Sequence, residues 1–173
     1  MACKDFVDCY KNGSKDRTCN CPNCLEKDSA GLTWTCKENN IVYILRNYAD
    51  CSARIRQYKT DIGNICQGIV GNRCDYLLVL SKRNGNSTEY RFVYVELKSG
   101  STDDFNKALR QLQNTSRFLQ PVVQTRGFAR IVISKVPSAY NTPAYREVYK
   151  YFDTKNLICK SRMLEENVSV FFS

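Results

Sequence analysis

The 173-residue chain contains no histidine. That absence excludes Ser-His-Asp and Cys-His catalysis, His-ligated zinc hydrolysis and the zinc deaminase site, all of which depend on an imidazole. Chemistry here must run on carboxylates, lysine, thiols, hydroxyls or a metal that such groups hold. No apolar run approaches the roughly 18 to 20 residues needed to cross a bilayer, so no membrane association is expected. The opening residues, Met1 to Asp5, lack the apolar stretch of a secretory signal. Internal repeats and low-complexity tracts are also missing.

What is present suits a folded domain. Hydrophobic residues make up 43% and charged residues 25%, enough apolar content for a core without global disorder. The length fits one domain with a small appendage. Lys and Arg number 26 against 17 Asp and Glu, a net charge of +9 that favours a polyanionic partner such as nucleic acid.

Ten cysteines are spread unevenly, with Cys3, Cys9, Cys19, Cys21 and Cys24 crowded into the first 24 residues. A disulfide scaffold suits a short exported chain that lacks a core, so a reducing, cytoplasmic setting is expected, with a small secreted disulfide-bonded protein as the competing reading. Cys19, Cys21 and Cys24 lie within one tight turn, and Cys9 or Cys36 can supply a fourth thiolate. Four thiolates make a closed tetrahedral zinc site. A structural Zn²⁺ on Cys9, Cys19, Cys21 and Cys24 is therefore expected, with free or redox thiols and an iron–sulfur cluster as alternatives. Residues 1–37 read as this cysteine-rich, zinc-knuckle-like segment, and residues 38–173 as the main domain.

Within the main domain, the apolar positions between Glu38 and Gln57 follow helical spacing loosely and predict a first helix. Residues 65–70 read as a short strand. Residues 75–81 are a short apolar run, a buried strand, and residues 90–98 return as a second strand rich in aromatic and β-branched side chains. Asn84-Gly85 marks the turn between them. Asp103 and Asp104 open a helix whose apolar face is Phe105, Ala108, Leu109, Leu112 and Leu119, with Pro121 expected to stop it. Residues 128–136 form a third strand, 143–152 a helix and 157–160 a short final strand. This order predicts an α/β domain with a mixed central sheet flanked by helices.

The hairpin carries the chemical inference. If it is symmetric about the bond between Gly85 and Asn86, Asp75 lies opposite Glu96, with side chains on one face and Cβ atoms about 4.5 to 5.5 Å apart. Lys98, two residues on, shares that face. Two opposed carboxylates repel unless one is protonated or a cation sits between them. Oxygen-only ligation in an open site suits Mg²⁺ or Mn²⁺, and a neighbouring lysine can orient an attacking water or stabilise charge on a phosphate. The bland alternative is a solvated ion pair at the sheet rim, Glu96 with Lys98 or Arg73.

Composition alone yields roughly one acid-x-Lys triplet by chance. The chain has two, Glu96-Leu97-Lys98 and Asp153-Thr154-Lys155. Only the first ends an apolar strand with an aspartate in register. Asp75 followed across a hairpin by Glu96-Leu97-Lys98 resembles the restriction-endonuclease-like PD-(D/E)xK nuclease superfamily, over roughly residues 38–136. The resemblance implies a restriction-endonuclease-like core and a metal-dependent endonuclease acting on nucleic acid, DNA in preference to RNA, with bacterial defence as its familiar setting. It implies that Asp75, Glu96 and the Leu97 main-chain carbonyl hold the metal and that Lys98 serves the water. Gln111, less so Gln113, would fill the place of a helical glutamine, with Lys107 on the same face. A chain this small is expected to work as a homo-oligomer or beside a partner protein. The sequence departs from the pattern at Cys74, where proline is usual, and has no clear match for a first-helix acid, the nearest being Glu38 and Asp50. A non-catalytic nucleic-acid-binding module with a structural zinc is the alternative.

Basic clusters occur at residues 54–56, 82–83, 126–130 and 155–162. Tyr140, Tyr145, Tyr149 and Tyr151 offer rings for base stacking, though helix packing explains most of them more simply.

Overall fold

The structure is a computed structural model that describes residues 11, 25–29, 31–48, 53–59, 73–100, 102–123, 127–136 and 143–173. Alternation of buried and open positions, rather than a helical period, marks residues 33–46. In β2 (Thr33–Glu38) Trp34 and Cys36 are buried between exposed neighbours, and in β3 (Ile41–Arg46) Ile41, Tyr43 and Leu45 face inward. A two-residue turn at Asn39 and Asn40 joins these strands as a hairpin. Asn39 takes the left-handed conformation (φ 52°), which asparagine tolerates better than most side chains.

The helix expected over residues 38–57 is therefore not formed. Its residues supply β3 and, after a gap, β4 (Arg54–Lys59). Consecutive apolar residues such as those at 41–45 satisfy a period of 2 as readily as one of 3.6, and burial on the sheet decides between them. Residues 25–37, read as part of the cysteine-rich segment, provide β1 (Leu25–Ser29) alongside β4 and all but the last residue of β2 alongside β3. The proposed zinc ligands Cys9, Cys19, Cys21 and Cys24, together with Asp50, Tyr140 and the strand expected at 65–70, lie outside the described residues.

The expected hairpin is present as β5 (Tyr76–Asn84) and β6 (Ser87–Lys98), paired symmetrically from Asn84↔Ser87 to Tyr76↔Val95. Gly85 adopts φ 57° at its tip, where glycine avoids the Cβ penalty of that region. Helix α1 (Thr102–Val123) begins with Asp103 and Asp104 in its first turn, as predicted, but runs through Pro121 rather than stopping there. Proline there withholds an N–H from the Arg117 carbonyl, and the helix ends two residues later. Strand β7 (Gly127–Ile133) follows, then the short helix α2 (Pro143–Val148) and β8 (Phe152–Ser161). The predicted last helix is shorter than expected and the predicted last strand longer. A further strand, β9 (Met163–Asn167), and a 3-10 turn (Val168–Phe171) come after it.

Six strands form one sheet in the order β1-β4-β5-β6-β7-β8, antiparallel from β1 to β6 and parallel from β6 to β8. Three form a second, β2-β3-β9, with β9 parallel to β3. Both faces of the large sheet are buried. Leu77, Val79, Phe92 and Tyr94 pack with Phe105, Ala108, Leu109 and Leu112 of α1. Leu78, Leu80, Val93, Val95 and Leu97 pack with Trp34, Tyr43 and Leu45 of the small sheet. The fold is thus mixed α/β, a central sheet between a helical layer and a smaller sheet. Among the described residues, no helix is long and apolar enough to cross a membrane.

Candidate functional site

Asp75 immediately precedes β5, and the β5–β6 register places it beside Glu96. Parity along the strands puts Asp75, Glu96 and Lys98 on the α1 face, with Leu77, Val79, Phe92 and Tyr94. The main chain locks the two acids together. The Asp75 N–H donates to Glu96 Oε2 at 3.0 Å, and the Leu97 N–H donates to Asp75 Oδ2 at 2.7 Å. The Lys98 carbonyl accepts from the Ser134 N–H on the β7 side. By strand alternation the Leu97 carbonyl faces the other way, towards Asp75.

Glu96 is fully buried, and its Oε1 forms an ion pair with the ammonium of Lys98, which remains 16% exposed. The Glu96–Lys98 pair considered from the sequence is thus formed, with its carboxylate buried rather than solvated at the rim. Burial, and next the charge of Asp75, push the Glu96 carboxyl well above the usual carboxylate range. For Lys98 burial works against the charged form, but Glu96, with smaller contributions from Asp75 and Glu38, more than offsets it and raises the pKa. The pair behaves as one unit, because Lys98 is held up only while Glu96 is ionised.

Glu38, considered from the sequence as a helical acid, sits instead at the end of β2. It is exposed, yet near enough to act on Lys98. Gln111 comes from the buried side of α1. Its Nε2 donates to the Arg73 carbonyl at 2.6 Å, and its Oε1 is buried without a hydrogen-bond partner among the described residues. Lys107, one turn earlier, is exposed, and Gln113 is partly buried. The oxygens of Asp75 and Glu96 and the Leu97 carbonyl form the donor set on offer here. Among the described residues no group of three or more His, Cys, Asp or Glu is placed to hold a metal ion.

Sequence reasoning missed Thr115, whose Oγ accepts the Cys74 N–H at 2.9 Å and donates to the Gln111 carbonyl at 2.8 Å. The bond gives the Cys74 N–H a buried acceptor. A proline there has no N–H to give, so this chain fixes the entry to β5 by a side-chain hydrogen bond instead. Cys36 is buried between the sheets, and its Sγ lies 3.6 Å from Gln57 Oε1, which also accepts from Trp34 Nε1.

Two basic clusters lose members to the interior. Arg56 and Arg130 are both buried. Arg130 is ion-paired to Glu166 at 2.5 Å and lies over the rings of Phe128 and Phe171. Tyr145 packs on Phe105 and Tyr149, consistent with helix packing rather than an open stacking surface.

No family model, curated protein or solved structure matches this chain.

Proposed function

We propose that the protein is a divalent-metal-dependent nuclease that hydrolyses phosphodiester bonds, with DNA as the preferred substrate. The observation that carries this reading is the burial of Glu96 beside a second carboxylate, Asp75, at the end of a hairpin whose main chain fixes both. Desolvated acids with a raised pKa beside a second carboxylate cluster at reaction sites. The donor set fits a hard cation, since every atom it offers is oxygen. Asp75, Glu96 and the Leu97 carbonyl would hold Mg²⁺ or Mn²⁺. When bound, such an ion polarises the phosphate and lowers the pKa of a coordinated water.

The chain's own groups do the rest. Lys98 orients the attacking water and balances charge as it builds on the phosphate. Gln111 holds the Arg73 carbonyl and so the approach of Asp75. The net charge of +9 draws the polyanion in. Structural zinc on the early cysteines, and a role in bacterial defence, belong to the same reading.

Nicking of supercoiled plasmid in Mg²⁺ or Mn²⁺, with an RNA arm beside it, tests the proposal. Cleavage should stop with EDTA and with Asp75→Asn or Lys98→Met. Nucleic-acid binding that survives both substitutions while no preparation cleaves would establish a non-catalytic binding module instead.

A further inference from the structure

A cleft of about 400 Å³ opens at the end of the large sheet where β6, β7 and β8 finish, lined by Asn39, Asn40, Ile41, Ser99, Ser134 and Arg162. Two of its lining residues are chain neighbours of the candidate site: Ser99 follows Lys98, and Asn39 follows Glu38, whose charge acts on Lys98. Its lining has two amides, two hydroxyls, one guanidinium and no carboxylate.

Arg162 is the single residue between β8 of the large sheet and β9 of the small one. Its N–H donates to the Ile133 carbonyl at 2.8 Å, and its carbonyl accepts from the Val42 N–H at 2.9 Å, so one sheet grips it on each side. The chain turns this corner with Arg162 at φ 62°. An arginine in that region meets a Cβ clash that glycine would avoid. The two non-glycine residues with positive φ among those described, Asn39 and Arg162, both border this cleft. The hairpin turn accounts for Asn39, whereas a bulky residue such as Arg162 held in that region is of the kind that clusters at active sites, ligand clamps and switch regions. Arg162 is exposed, and no ion pair engages it among the described residues.

We infer that this cleft binds a nucleotide of the DNA strand next to the scissile phosphate, with Arg162 as the positioning cation on its phosphodiester. The inference rests on the nuclease reading for which strand enters, but the cleft's own chemistry calls for a phosphate whether or not cutting occurs. The volume suits one nucleotide unit. A planar guanidinium matches phosphate oxygens by paired hydrogen bonds, and the Asn39 and Asn40 amides and the Ser99 hydroxyl supply neutral donors around it, the Ser134 hydroxyl being committed to the Gly100 carbonyl.

Fluorescence anisotropy of a short labelled DNA duplex and its single strand, in EDTA across a salt series, tests this. Arg162→Gln should lower the slope of log affinity against log salt by about 0.9 on duplex or about 0.7 on single strand. Lys150→Gln removes the same charge from the turn before β8, at the other end of that strand, and should move the slope less. Arg162→Lys should recover part of the affinity, and circular dichroism should show each variant folded.

An unchanged slope in Arg162→Gln, an equal loss in Lys150→Gln, or no binding by the unsubstituted chain would overturn the assignment. So would equally effective displacement of the duplex by a free deoxymononucleotide. Binding that depends on Arg162 in a protein that never cleaves would instead sink the nuclease reading and leave the cleft standing.

Discussion

Asp75 and Glu96 are joined through the main chain: the amide of Asp75 donates to the Glu96 carboxylate at 3.0 Å, and the amide next to Glu96, that of Leu97, returns a bond to Asp75 at 2.7 Å. Each acid is thus aimed by the strand that carries the other. Losing the Asp75 charge should therefore disturb chemistry more than fold.

Asp75→Asn keeps an oxygen to accept the Leu97 N–H while removing the charge. Plasmid nicking should fall by about 10² or more, the scale of removing one group that acts in the transition state. The thermal midpoint should stay close to that of the unsubstituted protein. Retained nicking in Asp75→Asn would show that the carboxylate has no part in the reaction.

The raised pKa of Glu96 sets a sign for the pH dependence of stability. The unfolded carboxyl titrates near 4.5, and the folded one well above it. Between those points the folded state binds the extra proton, so this group's contribution is fully present below the unfolded pKa and is lost as pH rises through the folded one. Urea unfolding in EDTA across that window should show stability declining with pH. The decline should be smaller in Glu96→Gln. Equal slopes for the two proteins would contradict the assignment of the shift to Glu96.

Arg130 is buried with Glu166 as its ion-pair partner, and Tyr43 donates to the same carboxylate at 3.2 Å. Glu166→Ala leaves a guanidinium and a phenol in the interior with that acceptor gone. The expected cost is about 3 to 5 kcal/mol, because an uncompensated buried charge is worse than none. Arg130→Met combined with Glu166→Leu should recover much of it in denaturant titration.

Cys74 has its side chain buried and its N–H committed to Thr115. Cys74→Ala removes the thiol but keeps that hydrogen bond. Cys74→Pro removes both and should be less stable than Cys74→Ala by about 1 to 3 kcal/mol, the cost of leaving a buried acceptor short of its partner. In a Thr115→Val background the gap should narrow, a coupling that a double-mutant cycle reads directly.

The central hairpin was legible from residue numbers because a two-residue turn at Gly85 and Asn86 fixes every pairing above it, down to Tyr76↔Val95. The face of α1 was legible for a similar reason: Phe105, Ala108, Leu109 and Leu112 admit one period only, and all are buried. Residues 41–45 admit two, and only the partner strands decide. Strand β9 escaped notice because Met163-Leu164-Glu165-Glu166-Asn167 is mostly polar, and what pins it is parallel pairing to β3. At the site, the positions of Asp75, Glu96 and Lys98 followed from register. The Thr115 bond, the nearness of Glu38 to Lys98 and the cleft at Arg162 arise from elements far apart in sequence, and nothing local announces them.

The pairing of β3 with β9 joins Val42 to Met163 across most of the polypeptide. During synthesis the β5–β6 hairpin can close on its own neighbours, so the two acids meet early. The second sheet has to wait for its last strand to leave the ribosome. Until then Val93, Val95 and Leu97 lack part of their cover, a sticky intermediate that chaperones would be expected to hold.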